Sequence, residues 1–369
     1  MTELSRDSRT TTRELAAAAC FAAMDDAGAS PADVDAVLCY HMSDSSPVND
    51  VARRLGLPNS IWTNEIFGGG TQSASILGDA AMLIESGTAS NVLVYRALNG
   101  RSGARMGRTS LRLGADAEAQ FTVPYGMLGP VNLFALSTTK WMNDVGLDRT
   151  SLEAVVRSSR ELAANNPRAL MRAPMSSEEY RASPMIATPL SRVDCCQETD
   201  GAAALLISRT DIADNRRAGS PRIRAVVRGG GPGASAMDSS PDLSTIFTHY
   251  VADLIWSASG MTSRDIDVSM IYDAYSPVVL QQLEDLGFAR RGESGALFES
   301  GETCPTGRVP VNPNGGLLSE GYVHGLNNVL EAVRQLRGDS GINQVPGAST
   351  ALCTGFGGSY GSAAVLERV

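Results

Sequence analysis

The chain has 369 residues, 43% of them hydrophobic, and a formal net charge of −9. No basic run exceeds a pair such as Arg53-Arg54 or Arg290-Arg291, which argues against nucleic acid as a partner, and no apolar stretch approaches the ~18 residues that cross a bilayer. Of the 31 basic residues 30 are arginine and one, Lys140, is lysine, so Schiff-base chemistry would rest on that single amine. The opening MTELSRDSRTTTRE lacks the apolar centre of a signal peptide, and a soluble cytoplasmic protein is expected. At about 150 residues per domain, two domains or one duplicated unit would account for the length. Six cysteines without a Cys-x-x-Cys spacing read as reduced thiols, with neither a disulfide frame nor a structural zinc site.

Residues 12–27 are alanine-rich with apolar positions at helical spacing, and Gly28 suits their C-terminal stop. Residues 34–40 (VDAVLCY) predict a short buried strand. A small-residue helix is predicted over 70–87, entered through Gly68-Gly69-Gly70, and 91–95 (NVLVY) predicts the next strand. Helices alternating with apolar strands indicate an α/β class with parallel pairing. An excursion over about 100–190 follows, holding Pro124-Tyr125-Gly126 and a helical 150–164. Such a segment builds a lid, a substrate groove or a dimer surface, or is surface padding. Its Arg101, Arg105, Arg108 and Arg112 are cations available to phosphates but receive no assignment, because charged loops are ordinarily solvated.

An internal repeat extends this pattern. AGASPADVDAVLCY (27–40) matches SGMTSRDIDVSMIY (259–272) at an offset of 232, setting Gly28 on Gly260, Asp33 on Asp265, Asp35 on Asp267 and Tyr40 on Tyr272. More loosely, 68–87 resembles 315–338, each followed by an apolar strand. Two α/β halves, 1–215 and 216–369, are expected, joined near 216–221.

The runs SPMIATPLSRVDCCQETDGAAALLIS (183–208), YDAYSPVVLQQLEDLGF (272–288) and VNPNGGLLSEGYVHGLNNVLEAVRQLRG (311–338) resemble the thiolase-like lipid-transfer family. Within it they are most similar to the steroid side-chain-cleaving aldolases of actinobacteria. The resemblance spans nearly the whole chain. It implies a thiolase fold, two duplicated α/β halves packed in layers with an inserted loop domain. Such proteins usually open with a strand before the TELS-type segment, and Met1 falls where that strand would just have ended.

Thiolases place a nucleophilic cysteine at the entrance to the first-half buried helix, in the frame Asn-x-x-Cys-x-x-Gly. Asn64 and Gly70 keep that frame, Phe67 stands at the cysteine position, and neither neighbour is a thiol, which excludes acyl-cysteine chemistry there. The amides of Gly69 and Gly70 either serve as thioester-oxygen donors or make only a tight turn. The family's Gly-His-Pro histidine falls on Tyr322, and His324, two residues on, is a lesser catalytic candidate expected to act from behind the reacting groups. Tyr322 either exchanges a proton as a phenol, whose reference pKa is ~10, or fills the seam between the halves. Asp273 matches an acidic family position, and either orients Tyr322 or a water, or caps the helix that Ser276-Pro277 begins.

Near the C-terminus, Cys353 aligns with the family's second cysteine, but it reads rather as a small buried apolar residue. The resemblance implies that Gly357 and Gly358 serve as oxyanion donors, and Tyr360 lies inside the glycine loop. The resemblance assigns proton transfer to two tyrosines, carried here onto Tyr322 and Tyr360. His41 has no evident role. Neither glycine run is a dinucleotide fingerprint, since Pro232 breaks Gly229–Gly233 and only eight residues follow Gly361.

The resemblance thus implies an aldolase that cleaves a 17-hydroxy C-20 carboxyl-CoA steroid to a 17-keto steroid and propionyl-CoA. It implies no cofactor beyond the CoA of the substrate, a homodimer, and a complex with an OB-fold/zinc-ribbon accessory domain of an enoyl-CoA hydratase. A silent acyl-CoA or sterol-binding lipid-transfer protein is the alternative. A true thiolase working through Cys353 is a third reading, opposed by Phe67.

Overall fold

The alanine-rich segment at the start forms α1 (Thr12–Asp26), capped by Thr11, whose side chain accepts the Glu14 amide. The computed structural model describes residues 1–58, 61–103, 105, 117–216, 219–232 and 240–369; Arg108, Arg112, Gly233 and part of the expected join at 216–221 lie outside the described residues. After α1 come β1 (Ala36–His41), α2 (Val48–Leu55), β2 (Trp62–Phe67), α3 (Gln72–Glu85) and β3 (Asn91–Asn99). The excursion holds α4 (Ala117–Thr122), α5 (Pro130–Val145), α6 (Arg149–Ala164), α7 (Ser177–Arg181) and the small pair β4 (Met185–Ala187) and β5 (Leu190–Ser191). β6 (Asp200–Ser208), α8 (Thr210–Arg216), β7 (Arg222–Gly230), α9 (Phe247–Ser259) and β8 (Val268–Met270) follow. The chain closes with α10 (Ser276–Asp285), α11 (Ser294–Glu299), α12 (Gly316–Ser319), α13 (Leu326–Arg337), β9 (Thr350–Phe356) and β10 (Tyr360–Glu367).

Two four-stranded sheets result, ordered β2-β1-β3-β6 and β7-β10-β9-β8. The expected parallel pairing holds for β1 with β2 and β3 and for β8 with β9. It fails for β6 on β3 and for β10 on β9 and β7, which are antiparallel. A tight hairpin joins β9 to β10, and two strands so joined can only run antiparallel.

The repeat reappears as matched devices. Gly28 and Gly260 both follow helices in the left-handed region, with φ of 61° and 67°. Ser30 with Asp33, and Thr262 with Asp265, form equivalent capping boxes. Asp35 accepts the amides of Ser90 and Asn91 at 2.8 and 3.0 Å, and Asp267 those of Ser349 and Thr350 at the same distances. Each carboxylate ties the start of one strand to the start of its parallel neighbour. At the edge of β6 residues 2–5 run alongside, Thr2 N donating to Ala202 O at 2.9 Å and Ser5 exchanging two bonds with Asp200. That is the place β7 occupies beside β10 in the second half.

Helices α3 and α13 lie between the two sheets, with α1 and α2 outside the first and α9 outside the second. A helix squeezed by two sheets must be apolar or small all round. Ser73, Ala74, Ser75, Ile76, Leu77 and Ala80 of α3 are buried, and a Cβ on Gly78 would crowd Val226 of β7 at 3.1 Å. The main core joins both sheets through this layer, from Leu38 and Val94 across Ile76 and Val329 to Ala364. The 130–164 part of the excursion is not padding, because Trp141, Leu152 and Val156 share a second core with Ile255, Leu280 and Leu283. Lys140 points outward, paired with Asp144 at 2.7 Å. Among the described residues no helix is long and apolar enough to cross a membrane.

Candidate active site

Tyr272 stands just beyond the end of β8, and its backbone is pinned on both sides. Its amide donates to Thr354 Oγ1 and its carbonyl accepts from Gln282 Nε2, each at 2.8 Å. The ring then occupies space that only glycine leaves open, since a Cβ on Gly70 or on Gly325 would overlap it. Tyr322 lies in the turn between α12 and α13, where Gly321 (φ 148°), His324 (φ 46°) and Gly325 (φ 83°) take the left-handed side. Its amide donates to Thr199 Oγ1 at 3.0 Å. The two phenols meet edge to face at 79°, and their hydroxyl oxygens are 2.7 Å apart.

Burial pushes both phenols well above the usual tyrosine range. For Tyr272 the neighbouring Tyr322 raises it further. For Tyr322 the Cys196 thiol adds to the rise, but the bond from Tyr272 and the positive Arg96 guanidinium pull it back. Tyr322 also keeps 6% of its surface exposed against 1% for Tyr272, so it is the one a bound molecule meets first.

Beside them sits His324, fully buried, its ring 4.8 Å from that of Tyr322. Its backbone carbonyl accepts the Tyr40 hydroxyl at 2.8 Å. Its Nδ1 accepts from Nε and Nη2 of Arg96 at 3.0 and 2.8 Å, and Arg96, itself fully buried, pairs with Asp44 at 2.6 Å. Burial, and then the Arg96 charge, push the imidazole down to about 3. The sign follows from linkage: a folded pKa below the unfolded ~6.5 stabilises above that value and loses its contribution as pH falls toward about 3. Thermal melts between pH 4 and 7 should thus fall more steeply on acidification for the wild type than for His324→Leu, the excess approaching about 1.4 kcal/mol per pH unit. Equal slopes would mean that this histidine titrates normally.

The remaining expected residues divide. Tyr360 does not join Tyr322: it begins β10 opposite Gly230, with neither a ring contact nor a hydrogen bond to Tyr322. Strand alternation puts it on the face of Ser362, whose hydroxyl bonds to Thr71 O at 2.7 Å. The phenol that meets Tyr322 is Tyr272. Asp273 neither bonds Tyr322 nor caps α10; its carboxylate accepts the Leu317 and Leu318 amides at 2.8 and 3.1 Å and so caps α12. Burial raises that carboxyl to about 7 and the two amides pull it down. A Cβ on Gly316 (φ 61°) would overlap the carboxylate, so the close approach requires glycine.

Cys353 is a core residue of β9, in cross-strand register with Ala364 and Met270, and burial pushes its thiol to about 12. Gly357 is no free donor, because its amide bonds Tyr360 O at 3.1 Å to close the hairpin. Gly358 is buried with its carbonyl engaged by the Phe247 amide. Gly69 and Gly70 precede α3, and among the described residues their amides have no partner. Phe67 ends β2 and is 72% exposed, outside the tyrosine cluster. His41 bonds Glu65 at 3.1 Å, with Cys39 alongside; Ser43 N donates to its other ring nitrogen. Arg101 and Arg105 both face Glu198.

Two residues escape sequence reasoning, Tyr272 and Arg96. The repeat carries the signal for the first, since it sets Tyr272 on Tyr40, two tyrosines ending equivalent strands and both bonding into the 322–324 turn. Nothing in the sequence marks Arg96 among 30 arginines. The fit between Gly70 and Tyr272 is directly testable. Gly70→Ala should displace the Tyr272 hydroxyl and abolish turnover while the far-ultraviolet dichroism is unchanged; a fully active Gly70→Ala protein would show that the placement of Tyr272 is immaterial.

Comparison with known proteins finds relatives over the whole chain. Residues 232–367 match the thiolase C-terminal domain-like family. Over 99% of the chain and 96% of the relative, the sequence is 35% identical to the 17-hydroxy-3-oxo-4-pregnene-20-carboxyl-CoA lyase of Mycobacterium tuberculosis. It is 33% identical to the steroid side-chain-cleaving aldolase of Thermomonospora curvata, over 99% and 95% of the two chains. Among solved structures, the Ltp2-ChsH2(DUF35) aldolase superposes with a TM-score of 0.91 and 32% identity, covering 100% of this chain and 95% of that one.

Proposed function

This chain belongs to the steroid side-chain-cleaving aldolases of the thiolase superfamily, and from that premise we propose that it cleaves a β-hydroxy steroid side-chain CoA thioester of the 17-hydroxy C-20 carboxyl-CoA type. The products are a 17-keto steroid and propionyl-CoA. The observation that carries this reading is the 2.7 Å contact between the buried Tyr272 and Tyr322 hydroxyls; burial raises the thiol of Cys196, which packs beside them, well above its usual range.

The substrate hydroxyl gives its proton to the Tyr322 oxygen as the Tyr322 proton passes along the shared hydrogen bond to Tyr272. The oxygen electrons form the ketone, the Cα–Cβ bond breaks, and its electron pair passes into the thioester as an enolate. Tyr272 gives its own proton to the enolate carbon, so both phenols end the step neutral. The proton taken from oxygen is balanced by the one delivered to carbon, so the cycle needs no cofactor beyond the CoA of the substrate. This assignment replaces Tyr360 by Tyr272. Incubation of the protein with a 17-hydroxy C-20 carboxyl-CoA steroid, with and without a DUF35-type accessory domain, tests it by mass spectrometry. Ketone and propionyl-CoA in equal amounts are expected; intact thioester in both arms would leave only a binding protein.

The same reading carries a complex with that accessory domain, of OB-fold/zinc-ribbon type and part of an enoyl-CoA hydratase, a site of action in the cytoplasm, and a homodimer. Support for the dimer comes from β2, an edge strand with no outer partner among the described residues. Trp62 and Phe67 on it are 51% and 72% exposed, Met82 on α3 is 59% exposed, and surface pockets of about 490 and 500 Å³ flank the strand. Bare apolar edges of this kind invite pairing with a second chain. A Trp62→Asp, Phe67→Asp protein should sediment as a monomer where the wild type sediments as a dimer; an unchanged sedimentation coefficient would place the interface elsewhere.

A further inference from the structure

The side chain of His324 holds a buried donor that has no partner among the described residues. Both bonds from Arg96 end on Nδ1 of His324, so the lone pair of the neutral ring lies at Nδ1 and its proton at Nε2. Among the described residues that Nε2 bonds to nothing, although the residue is fully buried. Leaving a buried N–H unpaired costs free energy that folded proteins rarely concede without a use for the group. The group faces the turn into α3: a Cβ on Gly69 would lie 3.7 Å from it, and the Gly69 and Gly70 amides are also unpartnered among the described residues. Helix α3 starts two residues later, so its dipole adds positive potential at the same place.

We propose that His324 donates its Nε2–H to the thioester oxygen of the substrate and of the enolate formed from it, and that Arg96 is the positioning residue that fixes this tautomer. The assignment rests on the function proposed above and adds a catalytic role for a residue that moves no proton. An imidazole between Arg96 and an incoming thioester stays neutral, because a second positive charge beside the guanidinium is disfavoured. The groups around it are Arg96 at Nδ1, with Asp44 behind it on the guanidinium, the Tyr40 hydroxyl on its carbonyl and the Tyr322 ring against its face. Neutral N–H donors preorganised toward a developing enolate need no reorganisation during the reaction. The Arg96–Asp44 pair holds the ring without occupying Nε2.

Nitrogen NMR of the full chain labelled at histidine tests the assignment. With three histidines in the sequence, His41→Gln and His249→Gln variants identify the signals. The His324 signal should show the Nε2–H tautomer with no titration from pH 5 to 9. Propionyl-CoA should shift it, while propyl-CoA thioether, which lacks the carbonyl, should not. His324→Phe should lower kcat about 10²–10³-fold with little change in KM, and Arg96→Gln should let the ring titrate and mix its tautomers. An Nδ1–H signal, a titration near neutral pH, equal shifts with both CoA probes, or full kcat in His324→Phe would overturn the proposal. The spectroscopic arms use the resting protein, so they report on this donor even if the cleavage assay itself fails.

Discussion

Tyr322→Phe should lower kcat for carbon–carbon cleavage by about 10²–10⁴-fold, the span expected for loss of a positioned proton-transfer group. Tyr272→Phe should fall in the same range. The double variant should be little worse than either, because two groups sharing one hydrogen bond act as a unit and their losses do not add. Tyr360→Phe should turn over like the wild type. Each substitution at 272 or 322 leaves a buried hydroxyl without its partner at a cost of about 1–3 kcal/mol, which the fold should survive with substrate affinity retained. Single-turnover kinetics with the steroid-CoA would check all four. A Tyr322→Phe protein cleaving at the wild-type rate would remove the phenol pair from the chemistry.

The second large effect lies beneath the site. Arg168 in the excursion reaches Glu320 at 3.3 Å and Glu331 at 2.9 Å, both carboxylates almost fully buried. Glu320 also accepts the side-chain amides of Asn166, Asn314 and Asn327, and its carbonyl accepts the Leu170 amide. This cluster anchors the residue from which the Tyr322 turn departs. Burial, and then the Glu320 charge, raise the Glu331 carboxyl. Arg168→Ala should cost about 3 kcal/mol, the lower end for breaking such a cluster, since the three asparagines still serve Glu320. Without the arginine the Glu331 carboxyl rises further, and a raised folded pKa gives stability that is present below the unfolded value and lost as pH rises. Urea unfolding should therefore show the variant near wild type at about pH 4–5 and weakest at pH 8, with Arg168→Ala, Glu331→Gln partly restored. A loss independent of pH would mean that the arginine acts through packing alone.

Much of the fold is legible in the chain because its local devices repeat. The 232-residue offset sets one glycine stop, one capping box and one strand-tying aspartate on another, and each recurs in space with the same partners. Small residues over 70–87 signal a helix pressed from both sides, and α3 is so pressed. The missing nucleophile is equally legible, since a phenylalanine in the cysteine frame cannot form a thioester.

What the chain order alone determined was the half-fold, its duplication and the loss of sulfur chemistry, because these depend on short spacings and on residue identity. The partner of Tyr322 was decided only in three dimensions. Tyr360 lies in a glycine loop and looks free, yet the hairpin register turns it along β10, while Tyr272 is brought in by the end of β8 and by the absence of side chains at Gly70 and Gly325. Asp273, Arg96 and Arg168 follow the same rule. Each acts on residues 44 to 228 positions away in sequence, and at such separations a charge finds its partner through the packing of layers rather than through any pattern along the chain.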